Sequence, residues 1–247
     1  MIVLMNNCFS FLSVVFLLAV LASSSFAKNS SAEKYGFMKD SRDGQIYKTV
    51  KIGNQVWMAE NLNYETLDQH IDSELVFWGQ GGSYDVPTSY CFDDDFINCT
   101  RYGRLYAWKI ATLACPEGWH LPTRDEWDTL MSVVGVDKSG KSLKSTTGWF
   151  NGKNGTDAYG FSALPVGMMN VYGTYGDNKY NAEGRNTFFW SSTELDSNDA
   201  YGVYLYYYKN KMDLVPDYKK MGGSVRCIKD KRETKDERVT KLDSKVS

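Results

Sequence analysis

The sequence predicts an α+β domain, and three observations predict it. Ile46, Lys48, Val50 and Ile52 alternate with Tyr47, Thr49 and Lys51, and Gly53-Asn54 then supplies a tight turn into Val56-Trp57-Met58, so this stretch reads as a β-hairpin. Thr123 and Glu126 stand three apart, ahead of an apolar stripe at Trp127, Leu130, Met131 and Val134. That is a capping box followed by one face of a helix, and it sets a helix over 124–134. Near the end of the chain alternation returns: Val203 and Leu205 oppose Tyr204, Tyr206 and Tyr208, and Val225-Arg226-Cys227-Ile228 reads as a closing strand.

The elements follow in order. Residues 1–27 carry no charged side chain, and Phe9 to Ala22 are almost continuously apolar. The run is short for a hydrocarbon core of about 30 Å, and Ser25-Phe26-Ala27 gives the small-x-small pattern of signal peptidase, so a signal peptide cleaved after Ala27 is expected. Cys8 precedes the apolar run, which excludes the lipid-bearing cysteine of a lipoprotein. Residues 28–42 read as a linker, because 28–40 offer little to bury, and order is expected to begin near Gly44, opening a domain over 43–230. Residues 65–100 hold Gly79-Gln80-Gly81-Gly82 and Asp93-Asp94-Asp95 and read as a surface excursion. Tyr102 to Ala114 is rich in helix formers and apolar on several sides, and reads as one buried helix. A break at Cys115-Pro116-Glu117-Gly118 precedes the capped helix. Residues 135–197 are rich in Gly, Asn and Asp and read as loops over a core, with apolar islands at 161–165 and 188–190. Residues 231–247 form a mixed-charge tail with almost nothing to bury, expected to be disordered.

Removal of Cys8 with the leader leaves Cys91, Cys99, Cys115 and Cys227, an even number in an oxidising compartment, which favours two disulfides. Three pairings are open. Cys91 and Cys99 enclose a short Asp- and Asn-rich stretch and are read as a local staple, which leaves Cys115 for Cys227. Loop-closure entropy assigns about 2.5 kcal/mol to the short loop and about 5 kcal/mol to the long one, so the long bridge should matter more. A net charge of −2 argues against nucleic acid as a partner. No other segment is long and apolar enough to cross a membrane, so no membrane insertion is expected after cleavage.

Six ordered blocks resemble a known family. DGQIYKTVKIGNQVWMAENLNY (43–64), CFDDDFINCTRYGRLYAW (91–108), CPEGWHLPTRDEW (115–127), GTDAYGFSALPVG (155–167), FWSSTE (189–194) and SVRCIKD (224–230) are similar, in sequence order, to the signature of the Fibrobacter succinogenes major paralogous domain family. A helix, then CP-x-G-W-H-L-P-T-x-x-E-W, then an irregular stretch and a terminal V-R-C strand also resembles the C-type-lectin-like fold. Formylglycine-generating sulfatase-modifying enzymes share that fold and a comparable helix start. The resemblance implies two helices flanking a small twisted antiparallel sheet, N- and C-terminal strands close together, and long irregular loops able to carry ligand sites. It implies a bacterial, exported setting and no particular reaction.

Catalytic constellations are sparse. His70 and His120 are too few for a histidine zinc site, and His120 sits among residues that build the helix start. Gly160-Phe161-Ser162-Ala163-Leu164 lacks the final glycine of a nucleophile elbow. The formylglycine-generating enzymes use a cysteine pair to bind copper, whereas here Cys227 is the only cysteine after Cys115. A non-enzyme is therefore expected, and no cofactor.

Calcium is the ion that loops of a lectin-like fold are suited to hold, through carboxylates and amides. Of Asp93 to Asp95, Asp157 with Asn154, and Glu194, Asp196, Asn198 and Asp199, the last cluster is the best candidate, although all three also read as solvated acidic loops. Tyr204, Tyr206 and Tyr208 on one strand face, with Tyr172 and Tyr175 in a Gly-rich stretch, can stack on sugar faces; tyrosine equally covers half-buried sheet. The expectation is an exported, non-catalytic surface or secreted binding domain whose ligand is a polysaccharide or an envelope protein. An enzyme of the sulfatase-modifying branch lacking the cysteine pair, or a purely structural envelope component, are the competing expectations.

Overall fold

A computed structural model describes residues 34–66, 89–170 and 179–231. The expected leader, residues 28–33, His70, the Gly79–Gly82 stretch, Tyr172, Tyr175 and tail residues 232–247 lie outside the described residues. The elements are Tyr35–Lys39 (β1), Ile46–Ile52 (β2), Gln55–Met58 (β3), Ser89–Tyr90 (β4), Phe96–Tyr102 (α1), Leu105–Tyr106 (β5), Trp108–Ala114 (α2) and Trp119–His120 (β6). They continue with Arg124–Val134 (α3), Ser139–Leu143 (α4), Met168–Met169 (β7), Tyr180–Asn181 (β8), Asn186–Glu194 (β9), Asp199–Tyr206 (β10), Asp213–Tyr218 (β11), Gly223–Ser224 (β12) and Ile228–Lys229 (β13).

The architecture is mixed α+β. One sheet runs β1-β2-β3-β13-β6, a second runs β11-β10-β9-β12-β5-β4, and β7 pairs with β8. β12 lies parallel to β9, and the other strand pairings are antiparallel. The predicted hairpin is present: Ile52 faces Gln55 across a turn in which Gly53 has φ +60°. α3 covers the residues its pattern marks. Thr123 Oγ1 accepts from the Glu126 amide at 3.2 Å, and Glu126 Oε2 accepts from the Thr123 amide at 2.9 Å, so both halves of the capping box are made.

Four sequence expectations are corrected. The segment read as linker contains β1, because pairing with β2 across Tyr35↔Val50 to Lys39↔Ile46 satisfies its backbone and Met38 is buried. Tyr102 to Ala114 is not one helix. Gly103, at φ +76°, ends α1, and a side chain there would meet Asn61 Cβ at 2.7 Å; Leu105 and Tyr106 then pair with β12 and β4 before α2 begins. Residues 186–194 are a nine-residue strand, where the composition suggested a loop with an apolar island. There are four helices among the described residues, not two, and two sizeable sheets where one small sheet was expected.

β9 escaped periodicity because both of its faces are buried. Phe188 and Trp190 join one core cluster, with Met58, Leu62, Tyr106 and Val225. Phe189 joins the other, with Ile52, Trp57, Trp127, Leu130 and Phe161. β10 divides in the same way, Tyr204 to the first cluster and Val203 and Leu205 to the second. A strand covered on both sides loses the apolar–polar alternation that marks a half-exposed one. Gly202 makes the packing of these two strands feasible, since a Cβ there would lie 2.2 Å from the Phe188 ring.

The two sheets are joined by the chain itself. Val225, Arg226 and Cys227, all fully buried, pass from β12 to β13, and two of their carbonyls accept from β3 and the segment after it: Met58 N to Cys227 O at 3.0 Å, Leu62 N to Val225 O at 2.9 Å. Cys227 is bonded to Cys115 at the end of α2, and Cys91 is bonded to Cys99. No helix among the described residues is long and apolar enough to cross a membrane.

Candidate functional site

Strand alternation places Tyr204 and Tyr206 on one side of β10, and Tyr208 continues the row in the turn beyond the strand end. The Tyr204 and Tyr206 rings stack with centroids 5.3 Å apart and planes at 8°, and Tyr206 lies 5.4 Å from Tyr208 at 35°. The three form a graded series. Tyr204 is buried, its ring against Phe188 at 4.6 Å and its hydroxyl donating to Asp217 Oδ2. Tyr206 is half-buried, and Tyr208 is 61 % exposed. Lys209 Nζ lies 5.0 Å from the Tyr206 centroid and is paired with Asp213.

Beside these rings is a groove of about 330 Å³. Tyr204 and Tyr206 line it with Met168, Val215 and Pro216 as apolar walls and Asn181, Asn186 and Asp217 as polar groups. Asn186 Oδ1 is buried and has no hydrogen-bond partner. An apolar wall with convergent amide and carboxylate groups suits a ligand that has both C–H faces and hydroxyls. The sequence reading found the tyrosines but missed Met168, Asn181, Asn186 and Asp217. Those come from β7, β8, β9 and β11, and only strand pairing brings them together. Pro216 in an otherwise strand-like stretch is the one local signal, the mark of an edge strand.

The far end of the groove strand is anchored from inside. Lys144, 2 % exposed, donates through Nζ to the carbonyls of Tyr206 at 3.0 Å, Lys209 at 3.2 Å, Tyr207 at 3.3 Å and Lys153 at 3.4 Å. Burial, with Lys141 nearby, pulls this ammonium down to about 8. Its role is positional, holding the turn that carries Tyr206 and Tyr208.

Several members of the acidic clusters bond within the protein. Lys219 Nζ donates to Glu194 Oε1 and to the Asp196 carbonyl, while Asp196 Oδ1 accepts from the amides of Asn198 at 2.8 Å and Asp199 at 2.9 Å. Those two amides hold the Asp196 carboxyl below its usual range. Asp94 accepts from Lys179 at 2.8 Å and from the Tyr180 hydroxyl at 2.5 Å, and Asp95 caps α1 through the Ile97 amide. Asp157 accepts from the Ser162 amide at 2.7 Å and Asn154 from the Trp149 amide at 3.0 Å, both closing turns. Among the described residues no group of three or more His, Cys, Asp and Glu is arranged to hold a metal ion.

His120 contacts Asp230 Oδ1 at 2.6 Å through Nδ1 and Glu126 Oε2 at 3.0 Å through Nε2, which ties β6 to the capping box and the end of β13. Desolvation lowers its pKa, but the two carboxylates outweigh it and the net shift is upward. Ser162 is turned to φ +55° and offers its carbonyl to Arg226 at 3.2 Å.

The structure thus defines a disulfide-bonded α+β domain in which a tyrosine-lined groove is held by buried polar anchors. The chain belongs to the Fibrobacter succinogenes major domain family, whose model matches residues 50–229. No curated protein and no solved structure matches it.

Proposed function

We propose that this chain is an exported, non-catalytic binding module of C-type-lectin-like fold that recognises a polysaccharide through the tyrosine groove. The observation that carries the reading is the groove of about 330 Å³, in which the Tyr206 ring, an amide oxygen without a partner on Asn186 and the Asp217 carboxylate converge. Sugars present apolar C–H faces and hydroxyls side by side, and this lining offers a complement to both. Tyr204 serves as support, since its ring is buried and its hydroxyl is held by Asp217; Tyr206 and the exposed Tyr208 supply the contact surface. The lectin-like assignment draws support from β3 and β13 lying side by side, which puts strands from the two ends of the domain in contact. Export draws support from the apolar leader ending in Ser25-Phe26-Ala27 and from the two disulfides.

Affinity electrophoresis against a panel of soluble polysaccharides tests this. One polymer should retard the wild-type protein, and Tyr206→Ala and Tyr208→Ala should each weaken retardation at least tenfold while the circular dichroism spectrum of the folded protein is retained. Retention of full affinity in both variants, or capture of an envelope protein in place of any glycan, would overturn it.

A further inference from the structure

A second cavity, of about 370 Å³, lies where β2, the residues after β3, the end of α1 and the 160–164 stretch meet, and Arg226 lines it. Arg226 is fully buried. Nε donates to Asn61 Oδ1 at 2.6 Å, Nη1 to the carbonyls of Phe161 at 2.6 Å and Met58 at 3.1 Å, and Nη2 to the Ser162 carbonyl at 3.2 Å. Every acceptor is neutral. Glu60 and Asp157 attract it only weakly, and burial outweighs them, drawing the guanidinium down to about 9. Four of its five N–H groups are used by these bonds, which leaves one on Nη2. A buried cation without an anion is an unfavourable arrangement, and an anion in the adjoining space would relieve it.

The rest of the lining favours the same sign. Lys48 and Glu60 lie 3.7 Å apart and offset one another. Arg101, exposed at the end of α1, is the remaining charged side chain, so three cations against one carboxylate leave the lining at +2. Asn63 Oδ1 is buried without a hydrogen-bond partner and calls for a donor. Tyr47 offers a ring wall, and its hydroxyl is already fixed, accepting from the Asn63 amide at 3.1 Å. The volume is that of a small ligand site.

We propose that this cavity binds a hydroxylated carboxylate of monosaccharide size, a uronic acid. Its carboxylate faces Arg226 and Arg101, and a ring hydroxyl donates to Asn63. The site is separate from the tyrosine groove and does not depend on the reading given for it.

Titration of the full mature chain with D-galacturonate and with D-galactose, followed by NMR shifts, separates charge from shape, because the two sugars differ only in carboxylate against hydroxymethyl. Galacturonate should bind at least tenfold more tightly than galactose. Asn63→Asp, which adds a negative charge to the lining, and Arg101→Glu on the exposed rim should each lower galacturonate affinity at least tenfold, while Tyr206→Ala leaves it unchanged. Arg101 is exposed and its ring contact is with Tyr102 at 4.7 Å, so Arg101→Glu keeps the test valid should Asn63→Asp fail to fold. Equal binding of the two sugars, no binding of either, or full affinity in the Arg101 variant would overturn the proposal.

Discussion

Lys144 and Arg226 are both buried cations whose hydrogen bonds go to neutral oxygens, yet they sit in different surroundings. Lys144 is enclosed by four backbone carbonyls at the end of β10. Arg226 is held on one side by Asn61, Met58, Phe161 and Ser162 and adjoins a cavity of about 370 Å³. Carbonyl dipoles that surround an ammonium do much of what water would do for it. A guanidinium beside a cavity is enclosed on one side only, and that cavity is where an anion finds a favourable field. Buried charge therefore serves two ends in this domain: closing a loop and preparing a site.

The largest effect that separates the two should come from Arg226→Lys. A single ammonium cannot reach acceptors at both 58–61 and 161–162 as the planar fork does, so a loss of about 3 kcal/mol is expected in chemical denaturation. A loss below about 1 kcal/mol would mean that the fork is not what ties residues 58–61 to residues 161–162. Lys144→Met should cost less, about 2 kcal/mol, by leaving carbonyls without their donor. Faster amide exchange in the turn that carries Tyr206 to Lys209 should accompany it.

The same lysine has a pH signature. Its folded-state pKa of about 8 lies below the ordinary 10.5, so between those values the unfolded chain binds more protons than the folded one. Stability measured against Lys144→Met should therefore rise as the pH increases from about 8 towards 10.5, and a flat difference would remove the desolvated ammonium from the account.

The smallest effect belongs to His120, a cation paired with carboxylates near the surface. Its side chain is 39 % exposed, so solvent screening should keep the contribution below about 1 kcal/mol. The folded pKa is raised above 6.5, so the stabilisation is fully present below pH 6.5 and is lost as the pH climbs through the folded value. Melting of His120→Gln across that window should converge with wild type at high pH.

Legibility in the sequence followed locality. α3 could be read residue by residue because its cap, its stripe and the Gly135 that ends it are contiguous. The fate of Tyr102 to Ala114 could not be read, because Leu105 and Tyr106 answer to partners at Ser224 and Gly223, more than a hundred residues on. β9 was hidden by burial on both faces, and β1 by a short, mixed composition in which Phe37 is exposed and Met38 buried. In the groove the tyrosines announced themselves by alternation, whereas Asp217 reaches Tyr204 only because β11 pairs with β10 in one register. In the acidic cluster at 194–199, nothing local reveals that Lys219, from beyond β11, donates to Glu194 and to the Asp196 carbonyl.

The passage of Val225, Arg226 and Cys227 between the two sheets sets the order in which a chain that emerges from its N-terminus can close. Cys99 follows Cys91 by eight positions and can close as soon as both emerge, but Cys115 must wait for a partner 112 positions later. Until then β3 lacks β13, β9 lacks β12, and the aromatic side chains meant to lie beneath that crossing have no cover. A chain that has not yet gained residues 223–229 therefore holds two incomplete sheets and an unpaired Cys115. Its final described residues act as the latch that completes both at once.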